Sequence, residues 1–102
     1  MSLPVDDYTK LLGVKIREVS PGRCVVSAKV PREACNFNGV VHGGYIFSIA
    51  DIAFAYASNE GGKMALAVDM YISDRKARKP GDEIEAEAVE VERGGRTALY
   101  II

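Results

Sequence analysis

Asn36-Phe37-Asn38-Gly39-Val40-Val41-His42-Gly43-Gly44-Tyr45-Ile46-Phe47-Ser48-Ile49-Ala50-Asp51 sets a histidine and two glycines at the mouth of an apolar helix, which then carries one carboxylate. From residue 43 to residue 59 the apolar positions Ile46, Ile49, Ala50, Ala53, Phe54 and Ala57 recur at helical spacing. Phe47, Ile52, Ala55 and Tyr56 fill most of the other face, so this helix is expected to be largely buried. Gly61-Gly62 stops it. A helix apolar on nearly all sides needs a sheet to cover it, and the flanking sequence supplies the strands.

Before the helix, a short helical leader is predicted over residues 6–12, ending at Gly13. Extended segments follow at 14–19 and 22–30, with Pro21-Gly22 as the hairpin turn between them. In the second, Cys24, Val26, Ala28 and Val30 form one apolar row, while Arg23, Ser27 and Lys29 face away. Pro31 ends that strand, and the loop over 32–41 leads into His42.

After the helix, Met64, Leu66, Val68, Met70 and Ile72 alternate on one side of a predicted strand over 64–73. Residues 83–92 form a strand studded with Glu. Its apolar row moves from Ile84, Ala86 and Ala88 to Val89 and Val91, which indicates a bulge. Gly94-Gly95 reads as a hairpin turn before a last strand over 96–102. The expected architecture is therefore α+β, an antiparallel sheet wrapped around one long central helix, in a single domain over 1–102. Because the sequence stops inside Leu99-Tyr100-Ile101-Ile102, a continuation of the C-terminal strand is expected.

Composition narrows the function classes. A formal net charge of -1 lacks the basic excess of a general nucleic-acid binder. The apolar stretch over 45–57 is interrupted by Ser48 and Asp51 and falls short of the ~20 residues of a membrane span, so a soluble protein without membrane attachment is expected. No secretory signal is legible at the N-terminus, and two cysteines, Cys24 and Cys35, match neither a disulfide framework nor a zinc pattern. They read as reduced thiols of a cytoplasmic protein. His42 is the only histidine, which leaves no multi-histidine metal site; no metal and no cofactor are expected.

The chemistry concentrates in the opening stretch. Gly43 and Gly44 leave backbone N–H groups unobstructed at a helix N-terminus, where unpaired donors and the positive dipole end suit an oxygen gaining negative charge. Asp51 supplies a base or nucleophile. Its neighbours Phe47, Phe54 and Ala55 are apolar, so desolvation is expected to raise its pKa. Oxyanion donors plus a carboxylate point to acyl-group hydrolysis. Read from residues alone, Asp51 also fits an ordinary helix carboxylate bonded to a neighbour, and the glycines also fit a close helix–sheet approach. Gly43 and Asp51 are eight residues apart, hence roughly 12 Å along a helix. One chain cannot bring both to one carbonyl, so an active site between two chains is expected.

The pattern Asn36, Gly39, His42-Gly43-Gly44 and Asp51, followed by Ala53-Phe54-Ala55-Tyr56-Ala57, resembles the hotdog-fold acyl-CoA thioesterases of the phenylacetate-pathway (PaaI) type. The likeness extends to Val68-Asp69-Met70 and to Lys79-Pro80-Gly81-Asp82. It implies hydrolysis of acyl-CoA to free acid and CoA by a homodimer or homotetramer, with CoA entering only as part of the substrate. It also implies that Asp51 is the base or nucleophile, that the Gly43 N–H polarises the thioester carbonyl, that Asn36 helps orient the water or reacting group, and that His42 supports the glycine loop. One departure is Ala67, two residues before Asp69, where some members carry a Ser or Thr that assists the attacking water.

Gly44 and Phe54 are candidate contacts to the substrate, and Phe37, Phe54 and Tyr56 favour an aromatic acyl group among aryl-acetyl and medium-chain alternatives. Arg75, Arg78 and Lys79, in the basic segment 75–79, are candidates for gripping the CoA phosphates. Two rivals remain. A hotdog dehydratase or hydratase would need a histidine paired with an acid for proton transfer at carbon, whereas Asp51 follows His42 by nine residues. A non-catalytic acyl-CoA sensor would have no use for Asp51 as a base.

Overall fold

The computed structural model of the protein describes residues 4–59, 79–93 and 98–101. The leader forms α1 (Asp7–Leu11), capped by Asp6, whose carboxylate accepts from the Thr9 N–H at 2.8 Å. That bond is the main reason the Asp6 carboxyl lies below its ordinary value, as an N-cap carboxylate should. Strands β1 (Lys15–Ser20) and β2 (Arg23–Lys29) form an antiparallel hairpin. A single 3-10 turn (Arg32–Ala34) precedes the long helix α2 (Gly43–Asn59), and β3 (Glu83–Arg93) and β4 (Ala98–Ile101) follow.

The described strands make one antiparallel sheet in the order β1-β2-β3-β4. Helix α2 packs across β2 and β3 and touches β1, which is the arrangement its apolar circumference requires. Cys24, Val26 and Ala28 of β2, Ala88 of β3 and Ile49, Ala53 and Tyr56 of α2 form the core between the two layers. Ile49 and Val26 are fully shielded from water. Each such side chain contributes about 1.5–3 kcal/mol of apolar burial.

Gly22 joins three elements. Its φ of 79° closes the β1–β2 turn in the left-handed region, its N–H donates to the Ala57 carbonyl at 3.0 Å, and its carbonyl accepts from the Glu90 N–H at 2.7 Å. The turn is therefore locked to the last turn of α2 and to β3 together.

Two details differ from the sequence pattern. Ser27 was expected to face solvent on the outer side of β2, yet it is buried, as is Val25 on the same side. Arg17 lies over Ser27, its Nε donating to Ser27 Oγ at 2.7 Å, so a long side chain on the edge strand covers what alternation alone would expose. The bulge in β3 is present, but at Glu90/Glu92 in the pairing with β4, while the ladder with β2 runs unbroken from Glu83 to Val89. Val89 and Val91 accordingly sit on the outer, exposed side of the sheet.

The predicted strand over 64–73, the stop at Gly61-Gly62 and the turn at Gly94-Gly95 lie outside the described residues. Among the described residues no helix is long and apolar enough to cross a membrane.

Candidate active site

The loop that delivers the helix is a small hairpin of its own. Cys35 and Val41 form an isolated antiparallel bridge, and the Asn36 N–H donates to the Val40 carbonyl at 2.7 Å. Between them the Gly39 N–H closes a turn on the Asn36 carbonyl at 2.9 Å, with Gly39 at φ 76°. Asn36 Oδ1 accepts from the N–H groups of Asn38 and Val40, at 2.9 and 3.2 Å. Asn36 thus organises the loop with its oxygen, which leaves its Nδ2 hydrogens for another partner.

The loop ends where α2 begins. The His42 N–H donates to the Ala34 carbonyl at 2.9 Å, and the His42 carbonyl accepts from the N–H groups of Tyr45 and Ile46. His42 holds the helix entry through its backbone, and its imidazole is exposed. Gly43 and Gly44 are also exposed, and among the described residues their N–H groups donate to no backbone carbonyl. A Cβ added to Gly44 would meet nothing within 4 Å, so the space beside Gly44 is open. Here the helix has the unspent donors and positive dipole end that stabilise a developing oxyanion.

Asp51 lies two helical turns further on. The core face of α2 carries Tyr45, Ile49, Ala53 and Tyr56, and helical periodicity puts Asp51 on the opposite, outward side with Phe47, Ala50 and Phe54. These outward positions are half-buried. Desolvation raises the Asp51 carboxyl above its ordinary value, and among the described residues no hydrogen bond or ion pair opposes that rise. The expected direction of the shift, and its apolar cause, are both present.

Other candidates separate. Phe54 shares the outward side with Asp51. Tyr56, read with Phe37 and Phe54 as an acyl-group contact, is instead 4% exposed in the core, its hydroxyl donating to the Pro4 carbonyl at 2.7 Å and accepting from the Asp6 N–H at 3.0 Å. Phe37 projects from the tip of the Asn36 turn, 96% exposed. Lys79 is exposed, and its N–H donates to Asp82 Oδ2 at 2.9 Å, shaping the turn into β3. Arg75 and Arg78 lie outside the described residues.

The motif does not single out two residues that the fold brings to this side of α2. Ser48 Oγ and Tyr8 Oη are 2.7 Å apart. Ser48 is legible as a polar position three residues before Asp51 on one helix face. Tyr8 carries no such signal, because only the docking of α1 puts it there.

Comparison with known proteins agrees with this geometry. The thioesterase superfamily profile matches residues 38–101. A candidate esterase of Archaeoglobus fulgidus is 44% identical over 95% of the chain, and the chain spans 63% of that relative, just under two thirds of its length. The acyl-coenzyme A thioesterase PaaI of Escherichia coli is 36% identical over 95% of the chain and 69% of its own. Its structure superposes with a TM-score of 0.90 over 93% of this chain. A hypothetical thioesterase from Streptococcus pneumoniae, crystallised with coenzyme A, aligns at 26% identity and a TM-score of 0.81, over 85% of this chain and 68% of its own. With the helix-on-sheet architecture, the glycine-led helix and these matches in agreement, the chain belongs to the thioesterase superfamily and has its hotdog fold.

Proposed function

We propose that this domain is an acyl-CoA thioesterase, hydrolysing an acyl-CoA to the free acid and CoA. The observation that carries the reading is the presence, on one helix, of exposed Gly43 and Gly44, whose N–H groups donate to no backbone carbonyl among the described residues, and of a half-buried carboxylate whose pKa is raised by desolvation. The relationship to the E. coli thioesterase and to a protein crystallised with coenzyme A supports the substrate class.

In this mechanism the carbonyl oxygen of the thioester accepts from the Gly43 N–H, with Gly44 beside it. The Asp51 carboxylate takes a proton from water as the water oxygen bonds to the carbonyl carbon, and negative charge collects on the carbonyl oxygen. Collapse of this tetrahedral species breaks the carbon–sulfur bond, and the departing thiolate takes up the proton held by Asp51. In the nucleophilic variant the carboxylate attacks the carbonyl carbon and expels the CoA thiolate as the carbon–sulfur bond breaks, and water then hydrolyses the mixed anhydride to the free acid and the Asp51 carboxylate. Asn36 would use its Nδ2 hydrogens on the water or reacting group, and His42 would hold the glycine entry. Phe54 would line the acyl site, while Arg75, Arg78 and Lys79 would meet the CoA phosphates.

The roughly 12 Å between Gly43 and Asp51 along α2 supports a site shared by two copies of the chain, in a homodimer or homotetramer. No disulfide joins Cys24 and Cys35, which fits work in the cytoplasm.

Release of CoA thiol from aryl-acetyl, hydroxyphenyl and medium-chain acyl-CoA esters tests the proposal, beside Asp51→Ala and Asp51→Asn with folding and oligomeric state checked. Wild-type turnover and a fall in kcat of about 10²–10⁴ in both folded variants is the expected result. Tight ester binding without turnover would favour a sensor instead.

A further inference from the structure

The outward side of α2 carries two polar side chains between Gly44 and Ala55, Asp51 and Ser48, set one helical turn apart. Ser48 is met by Tyr8 of α1, the two hydroxyl oxygens lying 2.7 Å apart with either able to donate. Two hydroxyls bring two O–H hydrogens, and the bond between them uses one. The other finds no acceptor among the described residues. Whichever way the pair is oriented, it presents an unspent donor within one helical turn of Asp51 on α2.

Docking of α1 does not require this bond. The leader is already fixed to α2 by Tyr56, which donates to the Pro4 carbonyl and accepts from the Asp6 N–H, and by Tyr45, whose hydroxyl donates to the Leu12 carbonyl at 3.4 Å. Thr9 is buried, whereas Tyr8 is 49% exposed. A solvent-exposed hydroxyl pair contributes little to stability compared with those buried anchors. Its place on the helix gives it a different use.

We propose that Ser48, oriented by Tyr8, is a positioning residue of the active site, donating its spare O–H, directly or through Tyr8, to the acyl thioester or to the water next to Asp51. This rests on the acyl-thioester reading of the site. It makes α1 part of the wall around the reacting group, so that a residue of the N-terminal leader helps set how the acyl group sits.

The test compares Ser48→Ala, Ser48→Thr, Tyr8→Phe and the double variant Ser48→Ala/Tyr8→Phe in the full chain. It uses hydrolysis of acyl-CoA esters and, separately, calorimetric binding of a non-hydrolysable acyl-CoA thioether. Thermal unfolding is followed in parallel. The proposal expects Ser48→Ala to lose about tenfold in kcat/KM or in thioether affinity, with Tm held close to wild type. Ser48→Thr should restore most of that loss, and the double variant should be little worse than Ser48→Ala, since the two hydroxyls act as one unit.

Wild-type hydrolysis with Ser48→Ala unchanged in both kcat/KM and thioether affinity would overturn the positioning role and leave the thioesterase reading standing. Absence of wild-type hydrolysis, with thioether binding still weakened by Ser48→Ala and rescued by Ser48→Thr, would sink the hydrolytic reading and keep Ser48 as a contact of the acyl site. Losses in Ser48→Ala that track a lowered Tm, unrescued by threonine, would overturn the proposal in favour of a packing role.

Discussion

Asn36 and Val40 are bonded twice: the Asn36 N–H donates to the Val40 carbonyl at 2.7 Å, and the Val40 N–H returns to Asn36 Oδ1 at 3.2 Å. The side-chain oxygen at this position is therefore committed to the loop that delivers Gly43, while among the described residues the side-chain nitrogen has no hydrogen-bond partner. Asn36→Asp keeps the acceptor and removes the donors, while Asn36→Ala removes both. Denaturant unfolding should place Asn36→Ala about 1 kcal/mol below wild type and Asn36→Asp close to it. Ester hydrolysis should fall in both variants. An aspartate variant of full activity would confine Asn36 to its structural work.

Desolvation holds the Asp51 carboxyl above its ordinary value of 3.8, so in the window between that value and the raised one the folded state binds more protons than the unfolded chain. Stability then falls as pH rises through this window, and the destabilisation persists at neutral pH. Asp51→Asn should accordingly raise Tm at pH 7, with the gain disappearing below about pH 4, where aspartate is protonated in both states. In the proposed mechanism the same shift should move the acid limb of kcat/KM upward, since a carboxylate base works only when ionised. Thermal melts at several pH values beside a pH–rate profile check both statements. An Asn variant that melts below wild type at pH 7 would contradict the assignment of burial as the cause.

Tyr56 ties residues 4–6 to α2 from inside the core, donating to one backbone group and accepting from another. Tyr56→Phe keeps the ring and strands both partners, which should cost about 1–3 kcal/mol. Hydrogen exchange should quicken first in α1, before the sheet is affected. Uniform exchange across the domain would argue against a local tether.

A side chain at Gly22 is disfavoured twice over. Its φ of 79° lies in the left-handed region, and a Cβ there would approach Glu90 Cβ to 3.2 Å. Gly22→Ala should cost about 1–3 kcal/mol by chemical denaturation, whereas Gly13→Ala, at φ 70° with nothing within 4 Å of its added Cβ, isolates the conformational part. Equal losses at the two positions would show that crowding against β3 contributes nothing.

Much of the architecture can be read from local pattern. The apolar spacing over 43–59 matches the bounds of α2, the row Cys24, Val26 and Ala28 lies in the core, and Pro21-Gly22 turns the first hairpin. The raised carboxyl of Asp51, caused by desolvation, agrees in direction with the apolar neighbours on its own helix face. The burial of Ser27 was not legible, since it depends on Arg17 crossing from a neighbouring strand. The burial of Tyr56 in the core depends on which face of α2 meets the sheet and the leader.

The sequence by itself determined the first hairpin, the long helix with its glycine-led mouth, and the lone outward carboxylate of that helix, because periodicity and steric freedom are properties of neighbouring residues. Only the tertiary structure decided that Tyr8 meets Ser48 across 40 residues, that the bulge falls at Glu90/Glu92, and that Gly22 links α2 to β3. Those contacts join segments whose approach is set by the packing of the whole core, and no local pattern records which distant group arrives at a given surface.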